Sequence, residues 1–541
     1  MVNLFNLKKS VYTFAFFSIF FLIGVIIFND YGISIDEDNT RIIGFVSLEK
    51  VFTLFQSDYT FKINEIISSQ KSAHSGLETS GVIFDLPMAF IELIFNIEDS
   101  RSYYLLRHFF NFSIFFISVY FFYLILLKRY DSWAIAIIGS LFLILSPRIF
   151  ANSFYNNKDL IFMSLSIIGL YSSINLLETK NLKNIIIFSL VSALMINLRI
   201  LGIILPILIF LIYIVDIYKN KDFKKKLLYF PLLFLFFTTI FLIIFWPHLW
   251  ENPIDHFLSN VKGLTSHNLD IYTFYLGKFI STSNPSWHYS IIWIFVSTPI
   301  LYVLLFLIGL IIIIKNAINI WLKEEHNNSY FNFWTNKKEM YDIIFLLALI
   351  IPLCVVTYFG SISYDGWRHL YFVYPSFILI GISGLFEIEK KYFKSKKNIL
   401  YISVLILLTP TIYWMCKNHP YQYVYFNNFA GKKYNENFEM DYFGVSNKDL
   451  LENVAIESNS KIKVYNLSTT DLHLSKTMIK KYLRDKIEIV DNIDKADYLT
   501  NNYRDWTGKY YPTKFLIPEN FEILYQIKID DVSINTIYKK R

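Results

Sequence analysis

The first polar stretch of the chain opens on a run of acids, Ser34-Ile-Asp36-Glu37-Asp38-Asn-Thr-Arg41. Carboxylates packed this closely have two uses. They cap a helix over Arg41–Phe55, whose N-terminus favours negative charge, or one of them takes a proton from a reacting group as a general base. Next come Glu78-Thr-Ser-Gly81-Val-Ile-Phe-Asp85-Leu-Pro87 and Asp99-Ser-Arg101-Ser-Tyr103-Tyr-Leu-Leu-Arg107-His108. Arg107 and His108 suit either snorkelling toward lipid headgroups or contact with an anionic substrate. The segment Ser146-Pro-Arg148 to Asn156-Asn157-Lys158-Asp159 is dense in polar groups. There Lys158 and Asp159 make either a rim ion pair of little worth or a phosphate or sugar contact. Three further clusters repeat one theme: Trp246-Pro247-His248-Leu-Trp250-Glu251-Asn252-Pro253, Trp287-His288, and Tyr364-Asp365-Gly366-Trp367-Arg368-His369-Leu-Tyr371. An interfacial belt accounts for Trp and Tyr. It does not account for Asp-Gly-Trp-Arg-His.

The elements that must position these groups are membrane spans. Of 541 residues, 54% are apolar and 19% aromatic, with Phe 53 against Gly 18 and Pro 14. Soluble domains hold about 45–50% apolar residues, so an ordinary cytosolic enzyme is excluded, and a disordered chain is never this apolar. The formal charge of +7 matters for where it lies, not as a nucleic-acid signal. Two cysteines make no disulfide framework; Cys354 and Cys416, both near the outer ends of expected spans, form either a single bridge or, as is commoner, small buried apolar side chains. Apolar runs at Val11–Phe28, Tyr103–Leu127, Ser132–Ser146, Leu160–Leu177, Ile185–Ile196, Ile200–Val215, Leu227–Trp246, Ser290–Ile314, Ile343–Phe359, Leu370–Phe386 and Ile399–Met415 predict about eleven crossings, the first a retained anchor.

Basic loops at Lys128-Arg129, Lys180/Lys183, Lys219–Lys226, Lys337-Lys338 and Lys390–Lys397 fall on one side, which the positive-inside rule makes cytoplasmic. Because Lys180–Lys183 and Lys219–Lys226 are both basic, the run between them must turn back, and Asn197-Leu198-Arg199 is the turn. Irregular backbone at that depth is tolerated only beside protein or a wet cavity, so Arg199 is expected to face one. Every cluster named above then lies at the opposite, outer face. Residues 29–102 and 247–289 form large outer loops. Residues 416–541 form a soluble outer tail that reads as a small α/β unit, with strands at Lys461–Tyr465, Ile487–Val490 and Phe521–Ile529 and a helix at Ser475–Leu483.

This layout resembles the GT-C glycosyltransferases, in particular the bacterial relatives of the protein O-mannosyltransferases and of the lipid A aminoarabinose transferase. The likeness rests on Asp36-Glu37 followed by Thr40-Arg41, on Ser146-Pro-Arg, Phe154-Tyr-Asn-Asn-Lys-Asp159, Trp246-Pro-His-Leu-Trp-Glu-Asn-Pro253, Trp287-His-Tyr and Asp365-Gly-Trp-Arg-His369, with Glu439-Met-Asp441-Tyr-Phe-Gly444 in the tail. It covers the membrane part, residues 1–415, and weakens beyond. The resemblance implies a multi-pass helical enzyme of the bacterial plasma membrane. A polyprenyl-phosphate sugar would be the donor, and a hydroxyl on protein, lipid or glycan the acceptor, at the periplasmic face. Since the phosphate leaves as a good anion, no general acid is needed, unlike glycoside hydrolysis. Asp36 is then the expected base with Glu37 assisting. Arg107, His108, Lys158, Asp159, Arg199, His248, Asp365, Arg368 and His369 contact substrate, while Trp250, Trp287 and His288 stack on the sugar or flank the lipid. One base attacking opposite the leaving group predicts inversion. No cofactor is required, and a divalent metal is optional. A transporter or flippase of lipid-linked sugars is the competing reading, although its ionisable groups belong near the midplane on repeated halves. A cell-wall-binding scaffold is the third.

Overall fold

In the computed structural model, residues 4–56, 59–68, 81–220, 225–266, 271–325, 333–358, 364–510 and 515–541 are described. The expected Glu78 and part of the Lys219–Lys226 loop lie outside them. Helix α1 (Leu4–Ile27) leads into three short helices, α2 (Asp36–Leu54), α3 (Tyr59–Ser68) and α4 (Asp85–Ile94), that lie across one end of a helical bundle. The bundle comprises α5 (Ser100–Tyr130), α6 (Trp133–Ile144), α7 (Pro147–Tyr155), α8 (Asp159–Thr179), α9 (Leu182–Leu198), α10 (Ile204–Asn220) and α11 (Lys225–Phe245). An α12 (Pro253–Ser266) and a β1–β2 hairpin (Tyr272–Tyr275, Lys278–Ser281) interrupt it before α13 (Tyr289–Ser297), α14 (Ile300–Glu325), α15 (Lys337–Tyr358), α16 (Tyr374–Tyr392) and α17 (Lys397–Lys417).

Local chemistry sets several of these boundaries. Asp99 caps α5 by accepting the Ser102 N–H, and the helix stops at Asp131 in a left-handed conformation with Lys128 and Arg129 in its last turn. Ser132 caps α6 in the same way. Among the described residues eight helices are long and apolar enough to cross a membrane, or nine if the pair α6–α7, bent by 67° at Ser146, counts as one span. The chain is therefore multi-pass. Two of the eleven expected crossings, α9 and the Tyr229–Phe245 stretch of α11, are apolar helices below full spanning length. Another, Ser290–Ile314, is divided at Thr298-Pro299, since proline is suited to the start of a helix and not its interior. The predicted break at Arg199 is present. α9 ends at Leu198, Arg199 is extended at φ −149°, and a 3-10 turn over Ile200–Ile203 starts the return.

Burial separates centre from periphery. The spans of α8 and α16 have 83% of their residues enclosed, against 17% for α1 and 22% for α17. Cys354 and Cys416 are both free and exposed, contrary to the buried role expected of them.

The tail holds α18 (Asn447–Glu457), α19 (Leu472–Thr477), α20 (Lys481–Arg484) and a five-stranded mixed sheet. Its strands β3 (Ile462–Asn466), β4 (Ile487–Ile489), β5 (Tyr498–Asn501), β6 (Phe521–Ile529) and β7 (Val532–Lys540) run in the order β4-β3-β5-β7-β6. The three predicted strands are there, joined by β5 and β7, while the predicted helix is two short ones. The tail is not a loose appendage. Tyr423, Val424, Val464 and Ile537 belong to the same continuous core as Phe142 of α6 and Ile380 of α16.

Candidate functional site

Helix α2 begins one turn before the expected Arg41, so its acids lie within the first turn. Successive helical residues point about 100° apart, and that angle separates Asp36 from Glu37. Glu37 turns inward, where it accepts the Ser34 N–H at 2.8 Å on one oxygen and meets His108 Nε2 at 3.0 Å on the other. Asp36 turns outward with its side chain 40% exposed.

Beneath the pair lies a buried polar layer. Asp85 accepts from Arg107 and from Asn157, each at 2.9 Å, and Asn157 also donates to Thr40 at 2.8 Å. Burial, opposed by Arg107 and Lys158, raises the Asp85 carboxyl to about 6. Arg41 forks onto Glu92 and lies over the Tyr103 ring. These contacts fix how α2, α4 and α5 meet, and therefore where Asp36 sits. Glu37, Arg107 and His108 act in this layer behind Asp36.

Above it, Arg368 is the hub. Its Nη1 donates to Asp36 at 2.5 Å and to Asp159 at 3.1 Å, and its Nη2 to Asp365 at 3.1 Å. A sharp loop aims it. Asp365 and Gly366 both have positive φ, 54° and 71°, a conformation that glycine adopts freely and aspartate tolerates. The chain then enters the 3-10 turn Arg368–Val373 with acid and guanidinium facing each other. Arg199, at the α9 break, pairs with the other oxygen of Asp159. Lys158 is half-buried among Arg199, Asp159, Asp36 and Asp85, and burial together with Arg199 pushes its ammonium down. It makes no hydrogen bond or ion pair with a described residue. His369 packs edge-on to Tyr364 at 4.8 Å, within electrostatic reach of Arg199, Asp159 and Lys158.

Thus Asp36, Lys158, Asp159, Arg199, Asp365, Arg368 and His369 converge from four stretches of the chain. Four other candidates occupy different surroundings. His248 stacks on His256 at 4.2 Å, and Trp250 Nε1 donates to the Ile243 carbonyl of α11 at 2.6 Å. His288 Nδ1 meets the Tyr275 hydroxyl of the hairpin at 2.6 Å, and Trp287 stands 70% exposed beside it. Their contacts serve α11, α12 and the hairpin. Among the described residues no three His, Cys, Asp or Glu side chains converge as a metal site.

The tail supplies Arg504, which the sequence reading did not single out, and Glu439, which it quoted only as part of the resemblance. Arg504 donates to Asp365 at 2.8 Å and pairs with Glu439, which also accepts the Phe274 N–H of β1 at 2.7 Å. A signal was present, because Tyr503-Arg504-Asp505-Trp506 has the same cation, acid and aromatic make-up as the Asp365–His369 loop. An apolar groove of about 480 Å³ runs between α10 and α11 and along α12. Its lining includes Ile207, Phe210, Phe234 and Leu258, together with Ile196 and Ile203, which bracket Arg199 in sequence. No protein-family model matches the chain, and no curated protein matches it.

Proposed function

We propose that this chain is a membrane glycosyltransferase of the GT-C kind, transferring a sugar from a polyprenyl-phosphate donor to a hydroxyl acceptor on the periplasmic side of a bacterial membrane. One observation carries the reading. A partly exposed carboxylate, Asp36, is held by a buried arginine in a cluster with Lys158, Arg199 and His369, and Ile196 and Ile203, on either side of Arg199 in sequence, line an apolar groove. A lipid-phosphate sugar has that same sequence of parts: apolar chain, anion, then a reacting carbon.

The groove takes the first isoprene units. Lys158 and Arg199 meet the phosphate, and they are worth more here than in water because the site is partly desolvated. Arg368 occupies Asp36 Oδ2, and Oδ1 accepts no hydrogen bond from a described residue. Oδ1 is free to take the acceptor's proton. The acceptor oxygen bonds to the anomeric carbon as the bond from that carbon to the phosphate oxygen breaks. The electron pair leaves with polyprenyl phosphate, and the configuration inverts. Arg368, shared among three carboxylates, holds Asp36 in place through Oδ2.

The test uses purified protein, a synthetic polyprenyl-phosphate sugar and mass analysis of the product. Wild type is expected to transfer the sugar, and Asp36→Asn to lose at least about a thousandfold, the scale of a general base plus its alignment, with thermal unfolding unchanged. Wild-type-like turnover in Asp36→Asn discards the role of Asp36. Movement of the lipid across vesicles without covalent change discards the enzyme reading.

A further inference from the structure

We propose that Arg504 of the C-terminal sheet domain is a positioning residue of this site: it holds one oxygen of Asp365 and so directs Arg368 toward Asp36 and Asp159. The inference rests on the glycosyltransferase reading for its catalytic consequence but not for its geometry.

The two guanidiniums divide Asp365 between them. Arg504 Nη2 takes Oδ1 at 2.8 Å, and Arg368 Nη2 takes Oδ2 at 3.1 Å. Because Arg368 gives Asp365 only one N–H, its Nη1 remains for Asp36 and Asp159. An isolated arginine and carboxylate prefer the two-pronged arrangement. Without Arg504, Oδ1 of a buried carboxylate is left bare, and Arg368 is drawn to grip both oxygens at the expense of Asp36.

The backbone of Arg504 is fixed for this task. Its carbonyl accepts the Thr469 N–H at 2.9 Å and the Thr469 hydroxyl at 3.1 Å, and the neighbouring Asn502 side chain donates to the Asp441 carbonyl at 2.8 Å. The guanidinium is 2% exposed, lies over Trp506 at 5.6 Å, and has Glu439 on its second prong. Hairpin, tail and the Asp365 loop are joined at this one side chain. Asp365 is faced by Arg368 and Tyr364 from its own loop, Asp36 from α2, Tyr289 from α13, Tyr442 from the segment after α17, and Arg504. Burial raises the Asp365 carboxyl, and Arg504 is the first of the two cations that oppose the rise.

The experiment uses full-length protein. Arg504→Ala leaves buried Glu439 without its cation and Asp365 Oδ1 without a donor and is at risk of misfolding, so the informative variants are Arg504→Lys and the charge-balanced pair Arg504→Met with Glu439→Met. In the sugar-transfer assay the balanced pair is expected to lower kcat about tenfold, within the usual range of coupled neighbours. The acid limb of its pH profile moves to higher pH, because Asp365 takes up a proton more readily, and Arg504→Lys restores most of both. A second measurement needs no catalysis. Arg504→Met/Glu439→Met and Asp36→Asn are combined in a thermal-unfolding cycle, since Arg504 and Asp36 touch only through Asp365 and Arg368. Non-additive shifts support the relay. Additive shifts, or an acid limb that stays in place while kcat falls, overturn it and leave Arg504 a structural ion pair. If wild type transfers no sugar, the function reading fails and the cycle alone decides the relay.

Discussion

Two aspartates on neighbouring short helices show how little residue type decides. Asp36 is open to solvent, whereas Asp85 is 3% exposed against Arg107 and Asn157. Asp85 is lifted from 3.8 to about 6 by that burial. A carboxyl whose folded value exceeds its unfolded one binds its proton more tightly when folded. Stability is therefore greatest below the unfolded value and falls as pH rises through 4 to 6. A shift of two units corresponds to about 3 kcal/mol. Asp85→Asn removes the titration, so wild type is expected to lose about 3 kcal/mol relative to that variant across this window, read as thermal unfolding in detergent at stepped pH. A constant difference would show that Asp85 ionises normally. In the sequence both acids stood in polar stretches of equal promise. The 100° between successive helical side chains, which sends Glu37 inward and Asp36 outward, is set by where α2 begins, and that start was placed a turn late. Arg504 and Asp365 are 139 residues apart, and no periodicity links positions so distant. Convergence of Lys158, Asp159, Arg199, Asp365, Arg368 and His369 was legible only as a shared face.

At the scale of elements, the α9–α10 hairpin does the aligning, and Asn197 locks it. Its side-chain Oδ1 accepts the Val82 and Ile83 N–H groups at 3.0 and 3.2 Å, and its side-chain Nδ2 donates to the Phe245 carbonyl at 3.1 Å. The first loop comes so close that a Cβ on Gly81 would overlap the Asn197 carbonyl oxygen. Asn197→Ala strands two donors and an acceptor, of which Val82 and its surroundings are buried. The cost is expected to be on the order of 2–3 kcal/mol, because an unsatisfied buried group forfeits its hydration, with Arg199 released from Asp159. Thermal unfolding checks the first, and loss of transfer activity in the folded fraction checks the second. Unchanged stability would mean that water replaces the amide. The hairpin was legible from charge, since two basic loops require an even number of crossings between them. The α13–α14 division was not, because the run from Ser290 to Ile314 stays apolar across Thr298-Pro299.

The whole molecule has two chemically different ends. At the end away from the site, Lys128–Glu178, Arg129–Asp342, Lys180–Asp216, Lys338–Asp131 and Lys397–Glu389 tie the helix termini together. Lys390, 69% exposed, meets Glu387 only at 4.0 Å, and Lys391, Lys394 and Lys396 lie near it in sequence. At the site end Arg199, Arg368 and Arg504 are all in ion pairs, and Lys158 is half-buried. Orientation follows uncompensated Lys and Arg in short loops near the span ends, with acids counting little, so the lysine-rich end is predicted to face the cytoplasm. Impermeant maleimide labelling decides it. Cys354 and Cys416 are first replaced by serine, and single cysteines are introduced at Lys390 and at Lys433, which is 77% exposed on the tail. Lys433→Cys is expected to label in intact spheroplasts and Lys390→Cys only after permeabilisation. The reverse pattern would turn the carboxylate cluster toward the cytoplasm. A periplasmic acceptor would then be out of reach of Asp36, whatever its chemistry.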